Sequence, residues 1–536
     1  MTRTLVTNAR IVTMDPARPL AEWMLVADAG ILALGTGAPP EADRTIDARG
    51  HVVLPGFQDA HIHLLSGGTD LATAAYLYDV TTHDDFARLL SDHAGRKPHL
   101  PIVIGSGWQA GIFGDDNLDR TFLDRIVPDR PAIVYDSSYH NACLNSRALD
   151  MAGIGNDSPD PPNGHIVRDA TGRATGMLHE EAIGWAAERL PQLSDDDLLD
   201  GLRAGQAHAN AHGITGVLDP RITETEARIY ARAEAAGLLT LRVAGAALVT
   251  EADGPTSAVA RLTALRQAHP GPDFHVQSAK FFMDGVFENR TAALLAPYAD
   301  AHGGNAAPMF GHDQTLALFT ALDAARFAIH VHVIGDLAAR RAIEGLEAAR
   351  RQNGDWPAAH QITHLQLVDP GDFSRLAPAG AMANIQPLWA RFDPVIPDIA
   401  LDMIGPEREP FTYAFRRMLD AGADWCLSSD WPVTTLNPFP IIETAVTRRP
   451  GATEGQRPPF HPRECLTVTE AVLGYTSHAA RACWRAGHTG MLRPGFSADF
   501  IIIDRDIFAC PPQEISATRV LSTYFKGREV WRDPAY

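Results

Sequence analysis

Residues 55–64 read PGFQDAHIHL, and the fold turns on this stretch. Pro55 and Gly56 interrupt what precedes, Phe57 opens a short apolar run, and His61 and His63 follow at i and i+2. Side chains alternate across a strand, so residues at that spacing point the same way and both rings can reach one ion. The spacing alone is weak evidence: 22 histidines in 536 residues give about one such pair by chance, and a second pair, His330 and His332, does occur. Position adds weight, because the carboxyl end of a first barrel strand is where barrel active sites are built.

Outward from this stretch, seven further apolar runs follow: GITGVLDP (213–220), LTLRVAGAAL (239–248), FHVQSAKFFMDG (274–285), FAIHVHVIGD (327–336), QITHLQLV (361–368), AMANIQP (381–387) and DWCLSSDWP (424–432). Stretches with helical period, such as DLAARRAIEGLEAARRQ and TYAFRRMLDAGA, separate them. Strands alternating with helices predict a parallel sheet under covering helices, and eight strands predict an α/β fold of the (β/α)8 TIM-barrel type over residues 56–486. The gap between the first two strands far exceeds a strand-to-helix loop, so an inserted subdomain is expected at about 80–195. Residues 1–55 and 487–536 are rich in short strands and turns, and they are expected to pair into one small sheet domain because chain termini often lie close together.

Composition bounds the function. With 45% hydrophobic and 21% charged residues the chain reads as globular, and at this length a large core is available. A formal net charge of -19 without a Lys/Arg run argues against nucleic-acid binding, which needs a basic face. The first residues, MTRTLVTNARIVTMD, hold no uninterrupted apolar stretch, so neither a secretory signal nor a membrane span is expected there, and cytoplasmic residence follows. Five cysteines without CxxC spacing fit reduced thiols better than a disulfide framework.

Four more residues of metal-ligating type stand near the ends of proposed strands: Lys280, His332, His364 and Asp430. Any one of them alone is more often a core or surface residue. Together with His61 and His63 they form a set that suits zinc and similar ions, and a catalytic site leaves one position open for water.

PGFQDAHIHL, AKFFMDGVFENRTA, HVHVIGD, ITHLQLV and LSSDWPV, with a GWQ stretch at Trp108, NGHIVRDATGRATGMLHE and TGMLRPGFSADFIIID, resemble the successive motifs of the amidohydrolase superfamily. The resemblance is to its YtcJ-like or amidohydrolase-3 group, to which N-substituted formamide deformylase belongs, and it covers nearly the whole chain. It implies a deformed (β/α)8 barrel with a β-sandwich made from both termini. It also implies His61, His63, His332, His364 and Asp430 as metal ligands, and zinc as the foremost of the divalent ions, one or two per chain. Lys280 occupies the fourth-strand position where relatives carry a lysine carboxylated by CO2 that bridges two metals. Carboxylation needs a neutral amine, so the lysine pKa must first be depressed. One departure is Thr363, which stands before His364 where many relatives place a glutamate. His330, on the face of His332 but deeper, reads as buried or as a contact behind a ligand.

The chemistry implied is hydrolysis of a C–N bond in an amide-type small molecule by metal-activated hydroxide, with Asp430 carrying a proton to the departing nitrogen. A metal or His140 is expected to hold the developing oxyanion. Trp108, Tyr139, Trp389 and Trp431 can form an apolar substrate wall, although core packing explains them equally well. Arg290 can hold an acidic substrate group or form a structural ion pair. The alternatives are a lactone or ester hydrolase, a cyclic amidine deaminase, and a non-catalytic metal-binding scaffold. Deaminase relatives usually carry a glutamate shortly after the fifth-strand histidine, where this chain reads HVIGD. Self-association into a homo-oligomer is left open, and no membrane partner is expected.

Overall fold

Eight short runs buried on both faces can satisfy their backbone groups only by pairing with one another, which favours a parallel sheet covered by helices. The computed structural model, which describes residues 2–113, 117–392, 396–451 and 457–536, has this arrangement. The strands are β1 (Phe57–Asp59), β2 (Ile214–Ile222), β3 (Arg242–Leu248), β4 (Phe274–Phe282), β5 (Ala328–Val333), β6 (His360–His364), β7 (Ala381–Ile385) and β8 (Asp424–Leu427), in sequential spatial order. Every residue of β5, β6 and β7 is buried. Each of the eight runs singled out in the sequence overlaps one of these strands, although β2 extends two residues past its run and β6 begins one residue before its own.

The ring closes between β1 and β8 just beyond their ends. His63 N donates to Trp431 O and Asp430 N to His61 O, each at 2.9 Å. Asp59, buried in β1, accepts Ser429 N at 3.1 and 3.2 Å and His61 N at 3.2 Å. Burial pushes the Asp59 carboxyl up to about 7, against the pull of the donors on Ser429 and His61.

Both chain ends supply the β-sandwich. One sheet runs 528–532, 520–525, 500–503, 52–55, 10–12 and 20–21, so strands from opposite ends are neighbours. The other runs 30–35, 23–27, 4–7 and 44–47. Val6, Ile11, Met24, Phe500, Ile502 and Leu521 fill the space between them. Arg242, at the start of β3, forms a buried ion pair with Asp499, which ties the sandwich to the base of the barrel.

Contacts divide the chain into two compact units. The barrel and sandwich make up the first: Met1–His63, Gln206–Trp431 and Thr435–Tyr536. The second holds Leu64–Gly205 with Pro432–Thr434 and lies in sequence after β1. It has its own six-stranded sheet, ordered 164–168, 174–180, 141–144, 132–136, 103–108 and 74–76, with helices that include His83–Arg96 and Ser146–Ala152. Among the described residues no helix is long and apolar enough to cross a membrane.

Candidate metal centre

The period of the strands delivers the site. His61 and His63 follow β1, Lys280 lies near the end of β4, His332 near the end of β5, His364 ends β6 and Asp430 follows β8. The register aligns Lys280 with His330, Phe282 with His332, and Val333 with His364, so these side chains rise to one end of the barrel.

Asp430 Oδ1 lies 3.2 Å from His61 Nε2 and 3.4 Å from His63 Nε2. These three donor atoms fall within 4.8 Å of one another. His364 adjoins the group, its ring centroid 5.2 Å from that of His61 and its Nδ1 4.0 Å from Asp430 Oδ2. His332 packs edgewise on His364 at 4.5 Å, with its Nε2 3.2 Å from Gly285 O. His364 (φ 77°) and Asp430 (φ 56°) both occupy the left-handed region, where non-glycine residues are strained. Such strain persists where the surroundings over-determine a conformation, and it clusters at functional sites.

Burial sets the electrostatics. It holds the His61 and His364 imidazoles well below their usual range, with Lys280 adding to the effect in each. Burial alone would raise the Asp430 carboxyl, but a hydrogen bond from His63 and the neighbouring charges of His364, His63 and Lys280 outweigh it and hold the group below its ordinary value. Lys280 is fully buried, its ammonium position 4.4 Å over the Phe282 ring, and burial lowers it to about 7 against the opposing charge of Asp430. Its Nζ has no hydrogen-bond partner among the described residues. The neutral imidazoles of His61 and His364 beside the ionised Asp430 carboxylate are donors that suit a divalent ion, and a buried amine whose pKa is lowered can react with CO2 in its neutral form.

Partners outside the ligand set hold it. His330 is buried; its Nε2 lies 2.7 Å from His61 Nδ1 and 3.1 Å from Thr363 Oγ1, so the threonine noted in the sequence faces this histidine. Asp284, in the loop after β4, accepts Ile334 N at 2.9 Å, Gly335 N at 2.8 Å and Ala293 N at 2.9 Å, pinning the turn that follows His332. Gly335 is required there, because a Cβ would stand 2.1 Å from Ala293 O. Neither Asp59, Asp284 nor Gln386 was picked out by the sequence. The MDG triplet was a weak signal for Asp284, since an aspartate closing a buried strand must find backbone donors or a charge partner.

The remaining candidates fall in two groups. Trp389 stacks on His364, and Trp431 packs against His208 with ring centroids 5.6 Å apart. Arg290 pairs with Asp300 at 2.5 Å, donates to Gly303 O and lies over Tyr298, which is the structural use of that arginine. Trp108 and His140 belong to the second unit. Trp108 is buried in its core beside Phe113. His140 Nδ1 contacts Glu180 Oε2 at 2.7 Å, and Tyr139 hydrogen-bonds Asp70.

A family model described as Amidohydrolase family matches residues 44–531. The chain is 28% identical to putative amidohydrolase YtcJ of Bacillus subtilis (strain 168), over 92% of this chain and 91% of that protein. It is also 28% identical to N-substituted formamide deformylase of Arthrobacter pascens, over 98% and 97% of the two chains. Among solved structures, an uncharacterized metal-dependent hydrolase from Pyrococcus horikoshii OT3 shares the fold with a TM-score of 0.76 and 22% identity, over 95% of this chain and 99% of its own.

Proposed function

The chain belongs to the amidohydrolase family, and on that premise we propose that it is a metal-dependent hydrolase cleaving the C–N bond of an amide-type small molecule. The observation that carries the reading is the approach of Asp430 Oδ1 to the Nε2 atoms of His61 and His63 at one point. His61, His63, His332, His364 and Asp430 would hold one or two divalent ions, zinc foremost, with Lys280 as a bridge once carboxylated. When bound, the ion supplies Lewis acidity, polarising the substrate carbonyl and lowering the pKa of water.

The chain's own groups do the rest. Asp430, kept ionised by its neighbours, accepts a proton from the attacking water on a carboxylate oxygen and returns it to the departing nitrogen. His61 and His364, kept neutral by burial, offer lone pairs rather than charge. Trp389, stacked on His364, shields that face of the ligand set from water. An N-acyl or N-formyl amide is the leading substrate class, supported by the likeness to the formamide deformylase over nearly the full length of both chains.

Zinc-reconstituted protein would be assayed against N-substituted formamides, other N-acyl amides, lactones and cyclic amidines. Release of amine from an amide is the expected result. Turnover confined to lactones or amidines would overturn the bond assignment, and inactivity toward all four classes with metal bound would favour a scaffold.

A further inference from the structure

Beneath the ligands runs a directional chain of hydrogen bonds whose proton order follows from its ends. Asn384 Nδ2 donates to the Ala60 carbonyl at 3.0 Å and to Gln361 Oε1 at 2.8 Å. Gln361 Nε2 in turn donates to the Ala482 carbonyl at 3.1 Å. Carbonyl oxygens only accept, so both amides have a single allowed orientation. Asn384 Oδ1 therefore faces Ser428 Oγ, 2.5 Å away, and accepts the hydrogen bond from its hydroxyl. With that proton used, Ser428 Oγ accepts from Gln386 Nε2 at 2.6 Å, which turns Gln386 Oε1 toward His364 Nδ1 at 2.9 Å. An amide oxygen cannot donate, so Nδ1 must carry the imidazole proton and Nε2 keeps its lone pair.

All four side chains are buried. Gln361 lies on β6, Asn384 on β7, Gln386 just after β7 and Ser428 just after β8, while Ala60 immediately precedes His61. The chain thus touches the segments that carry three of the candidate ligands. We propose that Gln361, Asn384, Ser428 and Gln386 form a positioning relay that fixes His364 as its Nδ1–H tautomer and presents Nε2 to the metal. The inference rests on the reading of His364 as a ligand. An unrestrained neutral imidazole exchanges between two tautomers and two ring orientations, and a partner on the second nitrogen removes that freedom before the ion arrives.

The tautomer can be read in metal-free protein grown with 15N-labelled histidine, with His364 assigned by the signals missing from His364→Ala. The Nδ1–H form is expected in the parent. Gln386→Leu, which removes the acceptor, should mix the tautomers and weaken zinc binding by about 10- to 100-fold in competition with a chromophoric chelator. Gln386→Glu keeps an acceptor opposite Nδ1–H and should restore most of the affinity. An Nε2–H tautomer in the parent, parental affinity in Gln386→Leu, or equal losses in the leucine and glutamate variants would overturn the relay. The parental tautomer needs no variant, so a misfolded substitution does not void the test. A parent that bound no zinc would instead defeat the metal-site reading, and the metal-free tautomer would still decide the relay.

Discussion

Trp389 lies face to face with His364, the ring centroids 5.1 Å apart and the planes inclined by 11°. It belongs to the short turn Pro387–Trp389 that follows Gln386, so one segment both bonds the edge of the imidazole and covers its face. Trp389→Ala should cost about 3 kcal/mol of stability through the cavity it leaves and should weaken zinc binding by freeing the ring. Trp389→Phe should lose less of both. Denaturant midpoints and chelator competition read the two effects, and an alanine variant matching the parent in both would refute this role.

His61→Ala and Asp430→Asn should fold, as judged by circular dichroism, and lose most activity. Each removes a ligand without opening the hydrophobic core. The asparagine variant tests the proton transfer separately, because a positioned acid–base group contributes roughly 10²- to 10⁴-fold in rate. An Asp430→Asn enzyme that turned over like the parent with metal bound would exclude that step.

Lys280 gives a pH signature. Its folded pKa of about 7 lies below the ordinary 10.5, so between these values the unfolded chain binds a proton that the folded protein does not. Stability of the metal-free protein in CO2-free buffer should therefore rise with pH across that window and lose this contribution as pH falls toward 7. Lys280→Met should flatten the curve, measured as urea midpoints against pH. Bicarbonate should accelerate zinc uptake by the parent but not by Lys280→Met, and an equal effect on both would exclude carboxylation.

Asp284→Ala should destabilise the protein by about 3 kcal/mol or more, since three buried backbone N–H groups lose their acceptor together. The turn after His332 should loosen with it. Hydrogen exchange at Ile334 and Gly335 checks this, and unchanged protection there would contradict the assignment.

The strands and candidate ligands were legible because both follow a local rule. A buried parallel strand writes itself as a short apolar run, and side chains at its carboxyl end share one mouth. His61, His63, His332, His364 and Asp430 could thus be named from position and motif. Asp59, Asp284 and Gln386 could not, because their partners are backbone groups or side chains on other strands and leave no spacing in the sequence. Arg290 shows the converse limit: a charged residue beside a motif looks the same on paper whether its partner is a substrate or Asp300. The left-handed backbone at His364 and Asp430 was also invisible, since neither residue type announces a positive φ.

Asp59 and Ser429, bonded across the seam of the ring, are 370 residues apart. Contacts of such separation carry a large loop-closure cost and tend to form late in folding. His61 and His63 stand on one side of that seam and Asp430 on the other, so the half-folded chain has no ion-binding pocket to offer. Zinc capture during refolding should therefore lag behind the appearance of secondary structure and mark the moment when the last strand joins the first. If the proposed site holds the ion, a nascent chain could not assemble that site until Asp430 had been synthesised and the last strand had reached the first.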